Sequence, residues 1–265
     1  MTAVDLGLEG RTVIVTGASG GMGREIARAF AAEGADVVVG YSSGADDAEV
    51  TAKEVRNAGG RALTARYVLG DADSARSLTA AALDWTGRID VLVNNALRPF
   101  GFRPPGDRFE EVGDDWRDKL HDNVDGPVEL TRLVAPSMRE RGWGRLVHIS
   151  SSLVDEGVLE SDAGRIGAEF YAAAKAALHG FSRSTAFSLG RDGDILSNVV
   201  VPGLTRTFRN EERMANSMGV AERYAARSPL GRLLDAAEIA RVVVFLGSAA
   251  NTGVTGQSVC VTAGA

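Results

Sequence analysis

Two short patterns in this chain could do chemistry. The first is Tyr171-Ala-Ala-Ala-Lys175. In a helix, residues four apart share a face, so the phenol and the ammonium come within a few ångströms of each other. An ammonium beside a phenol favours the phenolate and draws its pKa down from about 10. Such a pair can protonate a developing alkoxide or take a proton from an alcohol. The lysine itself is informative. Of 29 basic residues only three, Lys53, Lys119 and Lys175, are lysines. A chain that writes nearly every positive charge as Arg keeps a compact ammonium at 175, and a planar guanidinium is not its equivalent.

The second pattern is Thr16-Gly17-Ala18-Ser19-Gly20-Gly21-Met22-Gly23. An apolar run, Thr12–Thr16, leads into it and an amphipathic stretch starts near Arg24. Glycines without side chains let backbone N–H groups approach a pyrophosphate at a helix N-terminus. The spacing is Gly-x-x-x-Gly-x-Gly and no Gly-Lys-Ser/Thr follows, which excludes a nucleoside-triphosphate loop. A dinucleotide would therefore rest on Gly17, Ser19, Gly21, Met22 and Gly23. In such folds an acidic residue at the end of the second strand binds the ribose 2′-hydroxyl of NAD. Here that strand ends Val39-Gly40-Tyr41-Ser42-Ser43-Gly44, with no carboxylate before Asp46. Two hydroxyls could bond a 2′-phosphate, although no arginine in the stretch would clamp it. Tyr41, Ser42 and Ser43 are expected on the ribose. NADP is favoured, with NAD the alternative.

These groups need strand ends and helix faces to hold them. Apolar, β-branched runs occur at Thr12–Thr16, Asp36–Tyr41, Arg61–Arg66, Ile89–Val93, Arg145–Ile149, Leu196–Val201 and Gln257–Val261. They are nearly continuous rather than alternating, which suits parallel strands covered on both faces. Helical stretches lie between them: Gly23–Glu33, Ala45–Ala58, Ser74–Thr86, Asp114–Arg141, Ala168–Gly190 and Asp235–Ser248. The alternation predicts an α/β fold, a doubly wound Rossmann-type parallel sheet of about seven strands with helices on both faces. No linker or repeat divides residues 1–265, so one domain is expected. Leu97–Val112 and Leu204–Leu230 break the alternation where ligands bind such sheets. They are candidate substrate walls, and 204–230 is a candidate lid.

Composition removes other classes. With 45% hydrophobic and 24% charged residues the chain is neither disordered nor membrane-embedded. Glycine is frequent, at 32 of 265 residues. A net charge of −6 without a Lys/Arg run leaves no footprint for nucleic acid or an anionic membrane. The N-terminus lacks a basic and an apolar region of a secretion signal, so a cytoplasmic location is expected. Cys260, within Val259-Cys260-Val261, is expected to be a packed core thiol. His121, His148 and His179 have no metal-ligand spacing and are expected to be structural, so no metal site is predicted. A Ser-His-acid triad is disfavoured because Gly-x-Ser-x-Gly is absent.

From Gly10-Arg11-Thr12 to Gly264 the chain resembles the short-chain dehydrogenase/reductase family, nearest its 3-oxoacyl-carrier-protein-reductase-like members. The resemblance rests on the glycine loop, Asn94-Asn95-Ala96, Asn123, Ile149-Ser150-Ser151, Tyr171-x-x-x-Lys175, and Pro202-Gly203 followed by Thr207. It implies Tyr171 as general acid in reduction and Ser151 as hydrogen-bond donor to the substrate carbonyl. It also implies that Lys175 holds the nicotinamide ribose hydroxyls and that Asn123 holds a water leading to a proton relay. Asn95 and Ala96 would contact the cofactor near the ribose, Pro202 and Gly203 would cover the nicotinamide, and Thr207 would reach its carboxamide. A homotetramer or homodimer through the Asp114–Arg141 and Ala168–Gly190 helices is also implied.

Three features depart from the family pattern. Leu97 replaces a glycine, Val68 stands where an aspartate usually meets adenine, and Ser151 and Tyr171 lie 20 residues apart through a longer 155–169 segment. The expected activity is NADP(H)-dependent hydride transfer between nicotinamide and a small-molecule ketone or secondary alcohol. An acyl or polyketide-like ketone is the leading substrate. Two alternatives remain: an NAD-dependent dehydrogenase of a sugar, polyol or cyclic alcohol, and a non-catalytic dinucleotide-binding regulator. The intact Tyr171/Lys175 pair argues against the second.

Overall fold

The computed structural model describes residues 5–100, 113–157, 168–211, 214 and 219–264. Its main sheet has seven strands: β1 (Thr12–Val15), β2 (Asp36–Tyr41), β3 (Ala62–Arg66), β4 (Val91–Asn94), β5 (Trp143–Ile149), β6 (Asp194–Pro202) and β9 (Ser258–Val261). All are parallel, in the order β3-β2-β1-β4-β5-β6-β9. The seven runs expected from sequence are these seven strands, with ends displaced by one or two residues. A short parallel pair, β7 (Thr205–Arg206) with β8 (Leu234–Asp235), lies outside the sheet.

Burial on both faces explains why the strands read as continuous apolar runs. Alternate side chains go to opposite sides. Val13 and Val15 pack with Val37, Val91 and Val147 under helices α1 (Gly21–Ala32), α2 (Ala45–Asn57) and α8 (Ala236–Leu246). Ile14 turns the other way, with Val38, Leu92 and Leu146, under α3 (Ala72–Thr86) and α4 (Trp116–Arg141). Helix α6 (Ala168–Gly190) packs beside α4. Two helices have no counterpart in the expectations: α5 (Leu153–Glu156) and α7 (Val220–Arg227).

Some expectations are corrected. Helix α1 begins at Gly21 rather than near Arg24, because the second half of the glycine loop is already its first turn. Cys260 is exposed rather than packed. Strand β9 is an edge strand with β6 as its neighbour, and Val259 and Val261 face the core while Cys260 turns outward. An apolar neighbourhood in sequence says nothing about which face of an edge strand a residue takes. Of the irregular segments, residues 101–112, 158–167, 212, 213 and 215–218 lie outside the described residues.

Sheet order fixes where a ligand can bind. From β1 the chain winds to β2 and β3 on one side, then crosses to β4 and onward on the other. The carboxyl ends of β1 and β4 therefore part to form a crevice at the switch point.

Candidate active site

The crevice is held by a side chain at the end of each strand. Thr16 Oγ1 donates to the Val93 carbonyl at 3.2 Å and accepts from the N–H groups of Asn95 and Ala96, both at 3.0 Å. Asn95 Nδ2 returns to the Thr16 carbonyl at 2.9 Å and the Gly17 carbonyl at 3.3 Å. The Asn95 amide thus braces the glycine loop.

The loop is too tight for side chains at two positions. Gly17 has φ +65°, and a Cβ there would lie 3.0 Å from the Ala96 Cα. A Cβ on Gly23 would collide with the Gly17 carbonyl and sit 2.6 Å from Asn95 Nδ2. Gly20 precedes α1 without a side-chain cap, so the first N–H groups of that helix are left for an outside acceptor. A bare cradle at a helix N-terminus beside the switch point fits a dinucleotide pyrophosphate.

A cleft of about 570 Å³ runs over this loop, lined by Gly17, Ser19, Gly21, Met22, Ser42, Asn95, Ala96 and Thr207 among others. Gly23 lies behind it, packed on Gly17 and Asn95. Tyr41 packs partly into the core and Ser43 is exposed; neither lines the cleft. Tyr67, Val68 and Leu69 form part of the wall. The buried Tyr67 hydroxyl has no hydrogen-bond partner. Asp71, the first acidic residue after Val68, caps α3 by accepting from Ser74 N–H at 3.0 Å.

A second cleft of about 720 Å³ shares Met22, Leu97, Pro99 and Thr207 with the first. Ser151 and Tyr171 line it, together with Gly203. The Ser151 hydroxyl is hydrogen-bonded to the Tyr171 phenol. Phe100 meets the Tyr171 ring edge-on, with centroids 6.2 Å apart. Ser150, by contrast, is buried and turned inward to the Lys175 carbonyl at 3.2 Å and His179 Nε2 at 2.8 Å. Pro202 is buried at the end of β6, where its carbonyl accepts from Ser152 N–H at 2.9 Å.

Lys175 stands behind Tyr171, one helical turn on, with its ammonium 5.8 Å from the ring centroid. It is 5% exposed and donates to the Ile149 carbonyl at 2.7 Å. An ammonium has three N–H groups and this acceptor uses one, so the remaining donors fit ribose hydroxyls. Burial pushes its pKa down from 10.5 to about 8. The Tyr171 pKa is raised, because burial outweighs the lowering effect of the Ser151 hydrogen bond. The depressed phenol expected from the spacing alone is therefore not met; both members of the pair are desolvated, and each is driven toward its neutral form.

Asn123 does not line either cleft. Its Oδ1 accepts from Arg98 N–H at 3.0 Å, and its Nδ2 donates to the carbonyls of Arg98 and Lys119 at 2.9 and 2.7 Å. The side chain ties the segment after β4 to α4. Pro127, four residues on, has no N–H to offer the Asn123 carbonyl, so that oxygen lacks its intrahelical donor.

The histidines sit in other roles. His148 accepts from Asn94 Nδ2 at 3.1 Å, and burial drives its pKa down to about 4, so it is neutral. His179 bridges Ser150 and Ser258, and exposed His121 pairs with Asp125.

Two arginines, one bonded to Ser42 of the cleft wall and one lining the cleft itself, were not legible as site residues. Arg66 Nε donates to the Ser42 carbonyl at 3.2 Å, because strand register sets Arg66 beside Tyr41. Had the neighbouring strand ends been read together, Arg66 would have stood out. Arg209 packs on Gly20 and gave no local signal.

Comparison with known proteins finds a family model and several relatives over nearly the whole chain. The family model described as Enoyl-(Acyl carrier protein) reductase matches residues 17–265. L-rhamnose 1-dehydrogenase (NAD(P)(+)) of Sphingomonas sp. (strain SKA58) is 33% identical over 263 residues, covering 97% of this chain and 96% of that protein. The 7alpha-hydroxysteroid dehydrogenase of Escherichia coli (strain K12) is 32% identical over 260 residues, covering 98% and 96%. A solved 7 alpha-hydroxysteroid dehydrogenase, complexed with NADH and 7-oxo glycochenodeoxycholic acid, superposes with a TM-score of 0.84. It is 32% identical and covers 98% of this chain and 96% of that one.

Proposed function

Since the chain belongs to the short-chain dehydrogenase/reductase family and is an oxidoreductase acting on CH–OH/C=O groups, we propose that it is an NADP(H)-dependent reductase of an apolar ketone. The leading substrate is a ketone on an acyl or polyketide-like chain. One observation carries the reading. The hydrogen-bonded Ser151 and Tyr171 open onto a cleft whose other described walls are mainly Met22, Leu97, Pro99, Phe100, Leu153, Leu204 and Tyr224. No described lining residue bears a charge, so an apolar body buries there at little polar cost.

A bound nicotinamide supplies the hydride for reduction or accepts it in the reverse direction. The protein supplies the proton and the position. A substrate oxygen placed between the Ser151 and Tyr171 hydroxyls accepts a hydrogen bond from each. The raised pKa keeps the Tyr171 phenol protonated at neutral pH, the form a proton donor needs. As the proton leaves, the developing phenolate is stabilised by the Lys175 ammonium one turn away. The Ile149 carbonyl fixes that ammonium, and the Phe100 edge fixes the ring.

A second reading, oxidation of a sugar or polyol with NAD, draws on the relation to L-rhamnose 1-dehydrogenase. It would rest on the polar wall residues Ser152, Thr205 and Asn210. A panel of ketones, sugars and alcohols with NADPH, NADP, NADH and NAD, followed at the nicotinamide absorbance band, separates the two. The expected result is NADPH-dependent reduction of apolar ketones, with turnover of Tyr171→Phe lower by about 10²–10⁴ and cofactor affinity retained. Sugar oxidation with NAD and no ketone reduction would reverse the assignment.

A further inference from the structure

Arg209 lies in the segment that follows β7, far along the chain from the glycine loop, yet its guanidinium rests on that loop. A Cβ at position 20 would collide with Nε, and would lie 2.6 Å from Cζ and 2.8 Å from Nη2. The bare Cα of Gly20 is therefore a seat for the guanidinium. Nη2 donates to the Ser19 carbonyl at 3.2 Å and to Asp47 Oδ2 at 3.0 Å. Asp47 is in the first turn of α2, just beyond the corner made by Ser42, Ser43 and Gly44. That corner is close to both partners: a Cβ at position 44 would lie 3.6 Å from Ser19 Oγ and 3.4 Å from Asp47 Oδ2.

The guanidinium thus stands between the glycine loop and the end of β2. That is the ribose side of a dinucleotide site, where a 2′-hydroxyl or 2′-phosphate is read. Ser19, Ser42 and Arg209 line one cleft. The stretch after β2 has hydroxyls but no cation of its own, and the structure brings one from elsewhere in the chain. Arg66 adds a second guanidinium at the same corner through its bond to the Ser42 carbonyl.

From this geometry we infer that Arg209 is a cofactor-specificity residue that contacts the adenosine 2′-phosphate of NADP(H). The inference rests on the NADP(H) reading above and deepens it. Guanidinium and phosphate match as a two-pronged, charge-assisted pair. Asp47 holds Arg209 over Gly20 and Ser19, and at the same time sets a carboxylate against the incoming phosphate. Removing that carboxylate while keeping its shape strengthens phosphate binding.

The test is direct titration of the full chain, by calorimetry or by quenching of tryptophan fluorescence, with NADPH, NADH, 2′,5′-ADP and 5′-AMP. Wild type is compared with Arg209→Ala, Arg209→Lys and Asp47→Asn. In Arg209→Ala, the dissociation constants for NADPH and 2′,5′-ADP rise by roughly tenfold to a hundredfold. Those for NADH and 5′-AMP stay within about twofold. Arg209→Lys recovers part of the loss, since a point charge replaces the fork. Asp47→Asn tightens NADPH and leaves NADH unchanged. An equal loss for NADPH and NADH in Arg209→Ala overturns the assignment, because it places the guanidinium on the pyrophosphate common to both. Unchanged NADPH affinity overturns it as well. A wild-type protein that binds NADH more tightly than NADPH defeats the underlying cofactor reading. Wild-type preference for NADPH that survives in Arg209→Ala defeats this inference alone.

Discussion

Replacing Lys175 with methionine should make the protein more stable at neutral pH while removing a group its chemistry needs. The lysine is 5% exposed, and its pKa is lowered by burial from 10.5 to about 8. Each pKa unit between folded and unfolded chains is worth about 1.4 kcal/mol, so keeping the ammonium charged costs the fold about 3 kcal/mol near pH 7. Methionine removes that cost at nearly the same length. It also leaves the Ile149 carbonyl without its 2.7 Å donor, a loss of about 1–2 kcal/mol. The expected net gain at pH 7 is about 1–2 kcal/mol.

The pH dependence separates this cause from general repacking. A cation whose folded pKa is depressed lets the unfolded chain bind more protons between the two values, so wild-type stability rises with pH there. The cost is complete below about pH 8 and fades as pH climbs toward 10.5. Between pH 7 and 9.5 the advantage of Lys175→Met should shrink by about 2 kcal/mol. At the upper end the lost Ile149 bond makes the variant no better than wild type. Tyr171 does not blur the comparison, because its raised pKa puts its titration above this window in wild type. The assay is urea unfolding of both proteins at several pH values and one protein concentration, since assembly would shift the midpoints. A wild-type-to-variant difference that stays flat from pH 7 to 9.5, or grows, would refute the reasoning.

Two other perturbations follow from the clefts. Gly23→Ala drives a Cβ into the Gly17 carbonyl and the Asn95 amide; it should cost about 1–3 kcal/mol of stability and weaken binding of NADPH and NADH alike by at least about tenfold. Calorimetric titration checks this, and unchanged affinity would mean the loop does not carry the pyrophosphate. Leu97→Gly removes a wall common to both clefts; KM for an apolar ketone should rise about tenfold with kcat nearly constant. A collapse of kcat at constant KM would instead assign Leu97 to placement of the nicotinamide.

The sequence revealed what is written locally. The seven strands were legible because burial on both faces demands unbroken β-branched runs, and Val13, Ile14 and Val15 serve two helical layers in turn. Tyr171 and Lys175 were legible because a helix alone sets their spacing. Cys260 was misplaced because its outward turn depends on β9 being an edge, which is a property of the sheet and not of the residues around it. The direction of the Tyr171 pKa was hidden for a similar reason. It depends on how deeply the pair is buried, and burial there outweighs local hydrogen bonding.

Arg66 and Arg209 show the division most sharply. Ser42 and Ser43 follow β2 without a cation, and no inspection of that stretch could supply one. Arg66 comes from the end of the neighbouring strand, through the pairing of Tyr41 with its own position. Arg209 comes from 190 residues beyond the Ser19 carbonyl it bonds. A proton donor needs groups close together on one rigid element, so helical spacing can announce it. A specificity contact needs only that some side chain arrive at the right corner, and topology lets any strand end or following loop deliver it. The absence of an arginine after β2 therefore carries little weight against NADP, and the absence of an acid at that strand end carries no more against NAD, since Asp47 brings a carboxylate to the same corner from the first turn of α2.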